Sequence, residues 1–375
     1  MLNATVIRSQ EICEPDMTSK SDFLTRLRSE GAASAHYVPD LTLWHTTHTK
    51  RGTLPAPWQG QNLQEVAASM GVAAWSVVRP WRSETPGIPV TTEESEGERI
   101  TRWETSEGTL ADRWTRGPDG SWWQMEYPVK TEQDLKAALQ IAQARTYATD
   151  ADAVTHLADL KASDAAVAAM EIPVRPFSDL LYDLVGLTEG PVILMMGYPE
   201  VDEIVAVLEE KLAAFVPELA DLTADVAYSQ DNLDRQFLAP SLFEQYMSDS
   251  YRRTCEALNP LPLVVHAGGP VRDLLAPAAA AGVAGMEGVC GPPQSDAALA
   301  DARHVAGAGL ALWGGIPQDA LLATTGEDDF EATVAGAAQE AAGVAGAILG
   351  VADRVPVDAD PARLAALPEL IRSAT

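Results

Sequence analysis

Basic residues are scarce: 26 lysines and arginines stand against 54 aspartates and glutamates, a formal net charge of -28 over 375 residues. So acidic a surface repels phosphate backbones and anionic lipid, and no local basic cluster offsets it, which argues against nucleic-acid and membrane-surface partners. The acid surplus reads as solubility. Cysteine is scarcer still. Cys13, Cys255 and Cys290 are too few and too scattered for a disulfide framework, and no CxxC pair suggests a structural zinc site. A reducing cytoplasm is the expected setting. No run approaches the roughly 18 apolar residues of a membrane span. The opening MLNATVIRSQEICEPDM also lacks the apolar core behind a basic flank that marks a signal peptide. No nucleotide cofactor is expected.

What is present divides the chain. Residues 1–16 read as a disordered leader, with Met17 an alternative start, and SKSDFLTRLRSEG reads as a first amphipathic helix of a folded unit spanning 17–375. Between about 82 and 130 the composition turns polar, turn-rich and dense in tryptophan. The alternating ERITRWET and TLADRWT, with PDG as a turn signal, predict an antiparallel β excursion near residues 98–128. Trp122 and Trp123 read first as packing residues there, and second as a ligand platform.

From about 190 onward PVILMMGY, ADVAYSQ, LPLVVHAG, AGMEGV, LALWGG and AILGVAD alternate with alanine-rich helical stretches. Runs apolar on both faces predict strands covered on both faces, hence a parallel sheet with helical crossovers. LTLWHT and VAAWSVV, with the helical QNLQEVAASMG between them, supply two more strands. Eight strands favour a single α/β (β/α)8 barrel over an open doubly wound sheet.

In such barrels chemistry sits where strands end, which selects His45, His48, Tyr198, Gln230, Asp231, Asn232, His266, Glu287, Cys290 and Asp353. His266 precedes AGGP, where Gly268 and Gly269 permit close approach to a ligand; a hydrogen-bonded structural histidine is an equal reading. Asp231 either takes part in proton transfer or caps a turn. At most one of His45 and His48 faces a pocket. Cys290 is a soft metal donor or a small buried hydrophobe, and Glu287 and Asp353 complete a metal site or cap helices. Arg51, Arg79 and Arg82 are carboxylate clamps or solvated cations.

GPVILMMGYPE, VAYSQDNLDRQFLAPSLFEQYMSDSYRR, LPLVVHAGGPVRDLL, GMEGVCGPPQSDAALADAR, LALWGGIP and ILGVADRVPVDADPARL, in that order and spacing, resemble the uroporphyrinogen decarboxylase superfamily. GTLADRW and EYPVKTEQDLKAAL resemble its corrinoid-linked methyltransferase branch. The resemblance implies a (β/α)8 barrel with its site at the C-terminal mouth. Uroporphyrinogen decarboxylases carry an arginine-rich RQAGRY-type segment after the first strand, and WHTTHTKRG stands there, which argues against a tetrapyrrole substrate. Thiol-directed methyltransferases show H-x-C on the strand matching LVVHAGG and a late cysteine. Here the positions read His266, Ala267, Gly268 and, near the late cysteine, Asp353. Two of three soft ligands are missing, and a harder histidine and carboxylate set would polarise an oxygen instead.

The expectation is therefore an enzyme moving a methyl group from a small methoxylated or methylated donor to a corrinoid carried by a separate protein. Asp231 and His266 are its candidate catalytic groups. His45, His48, Arg51, Trp75, Tyr198, Asn232 and Gly268, with Trp44, are candidate substrate contacts, and His266, Glu287, Cys290 and Asp353 are candidate zinc ligands. No D-x-H-x-x-G corrinoid segment is present, so the carrier would be another chain; a homodimer is admitted. The alternatives are a cofactor-independent decarboxylase, with Asp231 at the carbanion, and a non-catalytic binding barrel.

Overall fold

The computed structural model describes residues 19–28, 35–117 and 120–375. The expected leader, Met17 and Cys13 lie outside the described residues, as do Pro118 and Asp119 of the PDG turn.

Thirteen strands are described: β1 Ala74–Val78, β2 Trp81–Glu84, β3 Val90–Glu94, β4 Glu98–Thr105, β5 Gly108–Arg116, β6 Trp122–Glu126, β7 Thr146–Thr149, β8 Ala166–Glu171, β9 Val226–Leu233, β10 Leu263–Ala267, β11 Gly285–Val289, β12 Ala311–Pro317 and β13 Ala347–Ala352. Seven form one sheet in the order β1-β8-β9-β10-β11-β12-β13, and every pairing in it is parallel. The crossovers are helical, as strands covered on both faces require. β3 to β6 form the antiparallel excursion, somewhat longer than expected, and β2 pairs antiparallel with β7.

The parallel sheet is strongly curled. A flat sheet would hold β1 and β12 about 24 Å apart, five strand spacings, yet the rings of Trp75 on β1 and Trp313 on β12 stand 4.8 Å apart, edge to face. Alternation explains the curl. Ala73, Trp75, Val167, Ala169, Val226, Tyr228, Val264, Ala311, Trp313 and Ile348 point inward and form one buried cluster, while the residues between them face the helices. Gly350 leaves room on β13 for this cluster, since a Cβ there would collide with the Trp313 indole.

The N-terminal end is plugged by the helix Lys20–Leu27. Ser19 and Asp22 cap it reciprocally, and Phe23 packs against Trp75 and Trp313 at 5.7 and 5.3 Å. Burying a phenylalanine-sized side chain this way contributes about 1.5–3 kcal/mol.

The barrel is not a closed eight-stranded one. LTLWHT, expected as its first strand, is helical over Thr42–Arg51, and the Asp40 carboxylate, just before the Leu41 N-cap, accepts the otherwise unpaired Thr42 N–H at 2.8 Å where the chain enters the helix. Only the residues around Tyr37 remain extended, in a parallel bridge to Leu349 on β13. So short a segment makes one bridge, and among the described residues no ladder joins it to β1. PVILMMGY is likewise helical, within Gly186–Met196, closed by the left-handed Gly197. The strand in its place is β8, whose sequence AVAAME is buried at every position.

Candidate active site

Where the inward-facing positions run out at the C-terminal ends of the strands, the side chains change from apolar to charged. Glu171 ends β8, Gln230 and Tyr228 lie on β9, His266 on β10 and Glu287 on β11, with Asp353 and Arg354 just after β13. Together with Asp40, Thr42, Leu43, Thr46 and Val77, several of these border a cavity of about 280 Å³ at the mouth.

Beneath the mouth, His266 is 3% exposed and Glu287 also 3%. The imidazole Nδ1 is hydrogen-bonded to Glu287 Oε2, and Nε2 lies 3.2 Å from Asp353 Oδ1. A ring with a carboxylate acceptor at each nitrogen satisfies both only as the imidazolium, which has two N–H donors. The electrostatics agree. Burial works to lower the His266 pKa, but the charge and hydrogen bond of Glu287, with Asp353 behind them, outweigh it and raise the value. Burial pushes Glu287 up to about 7 against the pull of His266. Both groups therefore hold protons more tightly than in water.

Asp353 does not itself border the mouth cavity but is joined to it through Arg354. Its side chain is one third exposed, and the Arg354 Nε donates to its Oδ1 at 3.1 Å. Burial works against the charge on Arg354, but Asp353 and Asp40 raise its pKa. Tyr228, pushed well above its ordinary range by burial and by the charges of Glu287 and Asp40, stays a neutral phenol. On the far side, Arg79 Nε donates to Glu171 Oε1 at 2.7 Å, and Gln230 Nε2 donates to Glu171 Oε2 at 3.2 Å.

Several expected residues are elsewhere. Asp231, one position past the inward-facing Gln230, turns outward into the helical layer. It accepts from the Arg175 backbone N–H at 2.6 Å, Ser229 Oγ at 2.7 Å and Tyr251 Oη at 2.6 Å, and is wholly buried. It does not share the mouth with His266. The helix Thr42–Arg51 reaches the mouth through Thr42, Leu43 and Thr46, not through its histidines. His45 Nε2 meets the Gln61 carbonyl at 2.9 Å, and His48 is engaged at both nitrogens, by Thr53 Oγ1 at 2.8 Å and the Val357 carbonyl at 2.9 Å. Arg51 is exposed at the end of that helix. Trp44 packs edge to face on Trp58, and Trp75 belongs to the inner core. Tyr198 precedes the helix Pro199–Ala220 and packs on the outer core. Asn232, at φ 52°, lies against Gly268, where a Cβ would overlap its amide. These two are partners in packing.

The expected zinc set does not assemble. Cys290 points at the Gly315 carbonyl, a weak 3.7 Å contact, and burial pushes its thiol up to about 11, away from the thiolate a metal needs. His266 and Asp353 remain as two donors, one already bonded to Arg354. Among the described residues no three His, Cys, Asp or Glu side chains are arranged to hold a metal ion.

Asp40, Glu171, Tyr228 and Arg354 escaped the sequence reading. Arg354 adjoins a residue that was selected; Asp40 precedes LTLWHT, which was expected as a strand, and Glu171 ends AVAAME, which was not singled out.

The family model for uroporphyrinogen decarboxylase matches residues 124–374, which contain β8 to β13 and the whole His266, Glu287 and Asp353 group. The chain belongs to the uroporphyrinogen decarboxylase family. Its fold is also that of a solved structure titled "methyltransferase from Methanosarcina mazei", with a TM-score of 0.56 over 94% of this chain and 98% of that one, at 14% sequence identity. No curated protein matches it. In this uroporphyrinogen decarboxylase family member the matched segment carries the proton-holding side of the mouth. Asp40, Val77 and Arg79 come from the part of the chain before it. Among the described residues no single helix is long and apolar enough to cross a membrane.

Proposed function

We propose that this chain is a methyltransferase that takes a methyl group from a small methoxylated or methylated donor and passes it to a reduced corrinoid held by a separate carrier protein. The observation that carries the reading is the Glu287, His266, Asp353 series, a buried proton store with one end at the mouth. When the methyl carbon leaves, the heteroatom keeps the bonding electron pair and needs a proton. Glu287 fixes the imidazole at Nδ1; His266 holds the proton at Nε2; Asp353 carries it to the mouth. Arg354 orients Asp353 and holds charge constant there. Tyr228 and Val77 offer the donor a neutral wall. The corrinoid would supply the electron pair that accepts the methyl group. Family membership and the methyltransferase-like fold support the general kind of activity.

The test is to mix the purified protein with a reduced corrinoid carrier and a panel of methoxylated and methylated compounds, following the spectrum of the methylated corrinoid. Formation with one donor, lost in H266N, is the expected result; no methylation with any donor counts against the reading.

The guanidiniums of Arg79 and Arg354 beside the mouth favour a second reading, decarboxylation of a small carboxylate with the His266 series protonating the carbanion. Carbon dioxide release without any carrier would select it.

A further inference from the structure

The antiparallel excursion encloses a second space. Between the face of β3 to β6 and the helix Glu132–Ala144 lies a cavity of about 750 Å³, walled by Ile88, Val90, Trp103, Trp114, Ile141 and Leu184. Its inner end is polar. Asp179 and Asp183 project there from one wide turn of π-helix, Asp179–Val185, a local geometry often retained at functional sites. Arg145, Asp179 and Asp183 also line a neighbouring cavity of about 450 Å³, and that one reaches Arg79 and Glu171 at the edge of the mouth.

Charge at the inner end is unbalanced. Arg145 Nη1 donates to Asp179 at 2.6 Å, which uses the one cation lining the larger cavity. Glu84 is paired with Arg82 Nε at 3.0 Å, which leaves Asp112 and Asp183 against no further lysine or arginine in that lining. Asp112 is occupied by the Trp114 indole N–H at 2.7 Å and the Thr101 N–H at 3.1 Å. Asp183 lines both cavities and is open to solvent through them, although protein crowds round its carboxyl. A space with an apolar, indole-bearing wall and, at its end, a carboxylate that forms no salt bridge among the described residues suits a cation with a flat hydrophobic body.

We propose that this cavity binds an amphiphilic organic amine, its aromatic or alicyclic body among Trp103, Trp114, Ile141 and Leu184 and its ammonium group at Asp183, on the side nearest the mouth. The assignment is independent of the methyl-transfer reading, because it uses none of the mouth residues. It also gives the excursion a reason to present two indoles inward. The environment of Asp183 adds a pH signature. Protein surrounding the carboxyl, then the charge of Asp179, push it up to about 7, while Arg145 and Arg79 pull the other way. Tyr127 lies close enough to feel the Asp183 charge, which together with burial raises its pKa, and Glu84 lines the same cavity. An ammonium ligand should thus bind more tightly as pH rises from 6 to 8 and Asp183 loses its proton.

The test is calorimetric titration of the full chain with three matched probes, naphthylethylamine, naphthylethanol and naphthylacetate, at pH 6 and 8. The expected result is at least tenfold preference for the amine over the other two at pH 8, with the preference and its pH dependence both lost in D183N. D183N is checked for an unchanged thermal midpoint, and W103L, which keeps an apolar wall, should weaken all three probes alike. Equal binding of the three, preference for the acetate, no binding of any, or an amine preference that survives in D183N would each overturn the proposal.

Discussion

Two buried carboxylates two strands apart do opposite work. Asp231 and Glu287 both stand near the C-terminal ends of parallel strands, and both are almost wholly withdrawn from solvent. Asp231 points out, and three neutral donors, one backbone N–H and two hydroxyls, close around it. Glu287 points in, and meets the one group in its neighbourhood that can exchange a proton with it near neutral pH, the His266 imidazole. A carboxylate ringed by neutral donors holds a fold together. One paired with an imidazole, and raised to about 7, can store a proton and release it. Position along the strand does not separate the two; the parity of the residue does.

The largest effect should follow from breaking the inner member. H266N removes the exchangeable proton while keeping a hydrogen-bonding side chain against Glu287, and should lower turnover by about 10²–10⁴-fold. Carrier methylation assays with the donor held at saturation would show it as a loss in kcat. If D231N lost turnover as severely while H266N did not, the inner and outer roles would be reversed.

Breaking the outer member should cost stability in place of chemistry. D231A strands the Arg175 N–H and the hydroxyls of Ser229 and Tyr251, all buried, at a cost of about 3–5 kcal/mol for unsatisfied groups. Urea unfolding should report the loss. Turnover per folded molecule should stay within a few-fold of the unsubstituted protein.

That outward turn of Asp231 also shows what was legible beforehand. The apolar runs from 224 onward announced five of the seven parallel strands, because strands covered on both faces need unbroken apolar sequence. AVAAME was missed since alanine fits a buried strand between close-packed layers as well as a helix. LTLW looked like a strand because Trp44 and Leu41 are core residues, yet it is helical, with Asp40 accepting the Thr42 N–H at its start. For the site, strand ends picked out His266, Glu287 and Asp353 among ten positions, and the structure brings these three side chains together. Inward or outward parity was not legible for Asp231, because Gln230, Asp231 and Asn232 are consecutive polar residues with no apolar alternation to set the phase. His45 and His48 failed for the same reason as the strand that carried them.

pH sharpens the comparison next. The folded-state pKa values of His266 and Glu287 are both raised, so the native protein holds protons that the unfolded chain has already released. The stabilisation from His266 is complete below its unfolded value and fades as pH climbs through the folded one. For Glu287, stability falls as pH rises from its unfolded value of about 4.5 to about 7. The thermal midpoint should therefore decline between pH 5 and 8, and the decline should be shallower in E287Q, which has no carboxyl to titrate.

The smallest expected effect tests whether two residues chosen as substrate contacts belong to packing instead. Gly268 touches the Asn232 amide where a Cβ would have to sit, and Asn232 holds a left-handed φ of 52°, a conformation asparagine tolerates and glycine adopts freely. G268A should cost about 1–3 kcal/mol by overpacking. Adding N232G removes the obstructing amide at no conformational penalty, so the double variant should recover most of that loss, a coupling that unfolding curves of the four proteins would measure. If G268A and N232G were additive in stability but each raised KM by an order of magnitude, these residues would meet the donor directly, and the boundary between the packed outer wall and the reactive mouth would have to be drawn further from His266.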